Sequence, residues 1–97
     1  MEFNYKPKFM VLNGIRTEGS KHLFDFTEKE TEGGNPIQVE VDQPSSLILE
    51  RMKEIVAGKR GNLYLTRGMK DIDVSYLGNN KWQLFDELDV YEFEMSV

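Results

Sequence analysis

From Pro36 to Asp42 the chain alternates strictly: Ile37, Val39 and Val41 fall on one parity, Gln38, Glu40 and Asp42 on the other. Successive side chains of a β-strand point to opposite faces, so this pattern predicts a strand with one buried side. The same period recurs along the chain. His22, Phe24 and Phe26 alternate with Leu23, Asp25 and Thr27; Ile72, Val74 and Tyr76 alternate with Asp71, Asp73 and Ser75. Tyr91, Phe93, Met95 and Val97 alternate with Glu92, Glu94 and Ser96, within a strand-like stretch from Leu88 to Val97. Asn62 to Arg67 and Lys81 to Phe85 are also strand-like, with Trp82 and Leu84 on the core side and Phe85 on the other. Lys8 to Leu12 is mostly apolar, which predicts a strand covered on both faces.

Turn signals separate these runs. Asn13-Gly14 is expected as a bulge in a long bent first strand, Glu18-Gly19-Ser20 as the reversal after it, and Gly78-Asn79-Asn80 as a hairpin. Glu28 to Asn35 is polar and glycine-rich, the composition of a loop.

Only one segment changes period. Leu47, Ile48, Met52, Ile55 and Val56 form an apolar stripe at helical spacing, with Glu50, Arg51, Lys53 and Glu54 on the opposite side. Pro44 suits a first turn, Asp42 or Ser45 is the expected acceptor for its free N–H groups, and Gly58 is placed to end the helix. The element order is β-β-β-α-β-β-β-β. The expected fold is α+β, with a mainly antiparallel sheet of about six to seven strands packed on one central helix. Residues 1–97 are read as a single domain.

Composition narrows the chemistry. The chain has 97 residues and no cysteine, which removes thiolate nucleophiles, disulfides and zinc–thiolate sites. The opening Met1-Glu2-Phe3-Asn4-Tyr5-Lys6 lacks the apolar core of a secretory signal, and no apolar run approaches membrane-spanning length. A cytoplasmic protein is the expectation.

Gly14 to Lys21 is the nearest approach to a phosphate-binding loop. Its serine precedes its lysine, and a strand pattern rather than a helix follows, so a hairpin is expected instead. His22 is the lone histidine, and without a cysteine it lacks most partners of a familiar catalytic constellation. No catalytic residue, metal ligand or cofactor is assigned, and the protein is read as a non-enzyme.

Charge supplies the remaining signal. The net charge is −5. Acidic and basic residues nearly balance through Lys70; beyond it Asp71, Asp73, Asp86, Glu87, Asp89, Glu92 and Glu94 are opposed only by Lys81. If their strands pair, these acids form one face. Phe85 would then be an aromatic anchor rimmed by carboxylates, unless Phe3 and Tyr5 cover it. The candidate partner-binding set is thus Asp71, Asp73, Phe85, Asp86, Glu87, Asp89, Glu92 and Glu94. Its expected partner is a protein with a basic site, such as a nucleic-acid-processing enzyme, met by steering and occlusion. Direct binding to nucleic acid or a membrane is disfavoured by the charge. Lys59, Arg60, Arg67 and Lys70 form an opposing basic cluster, with Tyr64 on the exposed parity of its strand. They suggest the alternative, a self-associating structural or assembly subunit of a viral or bacterial particle. A small enzyme using His22 with nearby carboxylates is the least favoured reading. The overall composition is similar to that of small phage-encoded or mobile-element accessory proteins of the inhibitor or immunity type.

Overall fold

The computed structural model describes residues 7–29, 34–58, 61–87 and 89–97. Seven strands and one helix follow each other as the alternation predicts. They are β1 (Lys8–Glu18), β2 (Lys21–Glu28), β3 (Pro36–Val41), α1 (Ser45–Gly58), β4 (Asn62–Arg67), β5 (Lys70–Gly78), β6 (Lys81–Asp86) and β7 (Asp89–Glu94). This is an α+β fold. All strands belong to one sheet in the order β3-β2-β1-β7-β6-β5-β4. Two antiparallel meanders, β1-β2-β3 and β4-β5-β6-β7, are joined through β1 and β7, which run parallel. The sheet is therefore mixed rather than purely antiparallel. The parallel seam is short: Lys8 pairs with Tyr91 and Phe9 with Glu92.

β1 is long and bent, as its Asn-Gly pair suggests. Leu12 pairs with Phe26 and Gly14 with Asp25, so Asn13 is the extra residue of a bulge, its Nδ2 donating to Thr27 Oγ1 at 2.7 Å. The bulge resets parity, placing Met10 and Leu12 before it and Ile15 after it against the core. The phosphate-loop look-alike is occupied by the end of β1, a Gly19–Ser20 turn and the start of β2. Gly78, Asn79 and Asn80 all take positive φ (90°, 51°, 62°), which glycine and asparagine adopt most readily.

The two outer strands of the sheet meet each other. Just past β3, the Asp42 N–H donates to the Thr66 carbonyl of β4 at 2.7 Å. Gln43 then brackets Thr66, its Oε1 accepting from the Thr66 N–H and its Nε2 donating to the hydroxyl, each at 3.1 Å. Asp42 Oδ2 accepts from Thr66 Oγ1 and from the Gly68 N–H. Of the two expected caps, the Asp42 carboxylate instead ties this corner together, and the Ser45 hydroxyl bonds Thr17 Oγ1 at 3.2 Å. The Pro44 carbonyl accepts from the Leu47 and Ile48 N–H groups, each at 3.1 Å.

A sheet whose edges touch encloses one interior, and the inward parity of every strand fills it. Phe24, Phe26, Val39, Val41, Leu63, Leu65, Ile72, Val74, Trp82, Leu84, Tyr91 and Phe93 are buried there with Ile48 and Met52 from α1. The helix lies against β1, β4 and β5. Phe24 and Phe26 on β2 meet Phe93 on β7, and Tyr76 packs on Trp82 with centroids 4.7 Å apart. The Trp82 indole N–H reaches the Met95 carbonyl, so the residues after β7 still pack on the core.

Two expectations need correction. Strand β1 is not covered on both faces: Phe9 and Val11 are 51% and 47% exposed on its outer side. Leu23, on the outer parity of β2, is buried, lying directly between Arg16 of β1 and Glu40 of β3. Long side chains of that kind cover apolar neighbours with their methylene stems.

The Asp42 corner gives a direct test. Asp42→Ala removes the acceptor for Thr66 Oγ1 and Gly68 N, and should lower stability by about 1 kcal/mol in denaturant unfolding, with an unchanged far-UV spectrum.

Candidate partner-binding face

Strand register decides which of the candidate residues share a surface. Tyr64 of β4, Asp73 of β5, Phe85 of β6 and Val90 of β7 lie in one row on the outer side of the sheet. The adjacent row holds Asn62, Ser75, Gln83, Glu92 and Phe9, and the next pairs Lys81 with Glu94. Asp71 extends the face on the other side, opposite Thr66. Register thus brings Asp71, Asp73, Phe85, Glu92 and Glu94 onto one face. None of its four carboxylates makes an ion pair among the described residues.

The other three acids go elsewhere. Asp86 has inward parity and is buried, held by Arg67 through two hydrogen bonds of 2.7 and 3.2 Å. Glu87 turns the chain with φ 54° and pairs with Lys70, whose hydrogen bond and then charge hold its carboxyl below the usual range. Asp89 pairs with Lys8 at 3.7 Å, and the Lys8 ammonium lies 5.9 Å from the centre of the Tyr91 ring. These residues form an ion-paired rim at one end of the enclosed interior. Arg67 and Lys70 are consumed in it, so they do not form a free basic cluster; Lys59 and Arg60 lie outside the described residues.

Asp73 Oδ1 is enclosed and accepts no hydrogen bond among the described residues, and burial raises the carboxyl above its ordinary value. Phe85 is half-buried rather than open. Whether Phe3 and Tyr5 cover it falls outside the described residues. Tyr64, expected on the exposed parity, is 72% exposed.

His22 lies on β2 opposite Val41 of β3, half-buried, with Nδ1 3.1 Å from Thr17 Oγ1. Its described partner is a hydroxyl rather than a carboxylate. Among the described residues no group of three acids or histidines is arranged to hold a metal, and no helix is long and apolar enough to cross a membrane.

Sequence reading passed over two clefts. One, of about 380 Å³, lies between α1 and β4 and is bordered by Gln43, Leu47, Arg51, Glu54 and Tyr64. It exists because only the Thr66 end of the β4 edge is bonded to the chain beyond β3. The other, of about 330 Å³, opens where the short β1–β7 seam ends, between Phe9, Val11, Lys29, Lys81 and Glu94. Neither was legible beforehand, because each depends on where a pairing stops. No protein-family model, curated protein or solved structure matches the chain.

The two acid groups should respond differently to neutralisation. Asp86→Asn breaks a partly buried bidentate pair and should cost about 1–3 kcal/mol, whereas Glu94→Gln should leave stability within about 0.5 kcal/mol; urea unfolding of both variants measures this. The rim also predicts an alkaline transition. Burial, then the charges of Asp89 and Asp86, push the Tyr91 phenol up. The folded state therefore keeps this proton to higher pH than the unfolded state, and stability falls as pH rises through the window above the ordinary tyrosine value of 10.0. Tyr91→Phe should flatten that loss in unfolding curves recorded from pH 9 upward.

Proposed function

We propose that this protein is a non-enzymatic binding module whose acidic outer sheet face docks on a basic surface of a larger protein. The observation that carries the reading is the outward convergence of Asp71, Asp73, Glu92 and Glu94 from β5 and β7, with no ion pair among the described residues, around Phe85 and the exposed Tyr64. A closed fold gains nothing from four like charges on one face, and unneutralised charge is what steers association with the opposite sign. Aromatic side chains among the acids supply the apolar contact that charge alone lacks. The partner class that fits is a nucleic-acid-processing protein, whose phosphate-binding groove presents clustered lysine and arginine. On this reading the module is an inhibitor or immunity-type protein, of the kind phages and mobile elements use against host defences, and the carboxylates stand in for phosphates. It acts in the cytoplasm by occlusion, without a cofactor.

A second reading, a self-associating assembly subunit, draws on the exposed Phe9, Val11 and Leu77 and on the open part of the β4 edge. Such features favour contact between copies.

Capture from a native lysate, before and after nuclease treatment, separates the readings. A single nucleic-acid-processing protein retained after nuclease supports the docking reading. The double variant Asp73→Lys with Glu92→Lys should then weaken capture at least tenfold and lessen its salt dependence, as expected when steering charges are reversed. Affinity independent of ionic strength would remove it. Recovery of a defined homo-oligomer alone, matched by a concentration-dependent mass in light scattering, would establish the assembly subunit instead.

A further inference from the structure

Strand β4 is an edge whose outer pairing stops partway. On its inner side the Gly61 carbonyl accepts from the Tyr76 N–H, and in the same register Leu63, Leu65 and Arg67 bond to β5. The N–H and C=O groups of Asn62, Tyr64 and Thr66 therefore point away from β5. At Thr66 they are met by Gln43 Oε1 and the Asp42 N–H. At Tyr64 and Asn62 they meet no partner among the described residues. The chain begins a ladder on this edge at Asp42 and then abandons it: Pro44 has no N–H to give, and α1 starts at Ser45.

The helix does not cover what the ladder leaves open. It closes on β4 at the far end, where a Cβ on Gly61 would lie 3.3 Å from Ile55 Cγ1. Between that contact and Thr66 stands the cleft of about 380 Å³, walled by Leu47, Arg51, Glu54 and Ile55 on the helix side. Folds ordinarily blunt a free edge with proline, charge or a bulge. Strand β3 does so, because Pro36, Gln38 and Glu40 are the residues on its free side. From Asn62 to Leu65, β4 has none of these devices.

We infer that the β4 edge receives an extended segment of a second protein, which adds a short strand between β4 and α1. This goes beyond the acidic-face reading and does not rest on it. Two donors and two acceptors repeated over roughly 7 Å match the main chain of an extended polypeptide. The strand directions of the sheet set β3 antiparallel to β4, so the incoming strand continues the direction that Asp42 begins. One of its residues pairs with Tyr64 and the next but one with Asn62, each exchanging two hydrogen bonds. The residue between them lies opposite Leu63 and shares its inward direction, towards Leu47 and Ile55, which calls for an aliphatic side chain. The flanking two share the outward direction of Tyr64 and Asn62 and stay polar. A second copy of this chain fits less well: its own β4 edge is recessed in the same cleft, and its β3 edge carries Pro36 and Glu40.

The test uses the full chain, amide-resolved NMR and the neutral peptide acetyl-Ser-Thr-Val-Thr-Ser-amide. In the free protein the Asn62 and Tyr64 amides should exchange with solvent roughly a hundredfold faster than those of Leu63 and Leu65. Millimolar peptide should shift the Asn62 and Tyr64 amide protons and slow their exchange. The same peptide N-methylated at both threonines keeps its side chains and should bind at least roughly tenfold more weakly, the effect of lost main-chain hydrogen bonds. Tyr64→Pro removes a donor on the free side of an edge strand, where proline is tolerated, and should weaken binding as much; Tyr64→Thr keeps the donor and should retain it. If Tyr64→Pro melts early, the methylated peptide decides alone. The charge-reversed pair Asp73→Lys with Glu92→Lys should bind the peptide like the wild type, so either reading can fail without the other. Absence of shifts at Asn62 and Tyr64, or equal binding of the methylated peptide, would overturn the inference. So would slow exchange of these two amides in the free protein: with a doubled mass in light scattering the occupant is a second copy, and with a monomer mass it is the chain itself.

Discussion

Everything in this fold depends on the corner where Asp42 and Gln43 meet Thr66. A seven-stranded sheet has two edges, and here those edges touch through one main-chain bond and four further hydrogen bonds at the same few residues. That closure gives the sheet an inside, and a chain of 97 residues can fill only one. The inward parity of all seven strands then serves one core with α1 set into it, and the outward parity is left over. Because β3 and β4 are neighbours only at this corner, the segment joining them can be a helix that starts at the corner and runs back along the open part of the β4 edge.

The closure also sorts the charges. Strands in a twisted, closing sheet bring inward-pointing ends together at a rim, where side chains are half out of water and like charges are poorly tolerated. At this rim the chain supplies alternating signs, Arg67 with Asp86, Lys70 with Glu87 and Lys8 with Asp89. On the outer face it does not. Asp71, Asp73, Glu92 and Glu94 share a surface with Lys81 as their nearest opposing charge in the register. Acids adjacent in sequence therefore do different work: Glu87 and Asp89 hold the rim together, while Glu92, a few residues on, contributes to an unneutralised field.

Much of this architecture was legible in the residues. Period-two alternation located the later strands, a single change of period located α1, and Asn13-Gly14 announced the bulge. Glycine and asparagine signal backbone geometry locally, so such features need no knowledge of the partner strand. Pairing is different. The alternation of Asp71 and Asp73 with Ile72 and Val74 shows that these acids face away from a core, but not that Glu92 lies two strands away. Asp86 was misplaced among the surface acids because a carboxylate gives no sign of its own burial. Its partner Arg67 is distant in sequence and is fixed by the β4–β5–β6 register. Asp42 was, with Ser45, one of two expected helix caps for the same reason: its position before a helix is a local signal, and its bond to Thr66 and Gly68 is not. The parallel β1–β7 seam had no local signature at all.

Unneutralised acids on a closed fold set stability and binding against each other. Asp71 and Asp73 are roughly 7 Å apart along one strand face, and at an effective dielectric constant between those of a protein surface and water their repulsion amounts to about 1–2 kcal/mol. Salt screens this repulsion, since the Debye length at physiological ionic strength is about 8 Å. A basic partner relieves it more completely by placing positive charge at contact distance. A basic partner that bound only the folded chain would by mass action offset the stability this face costs.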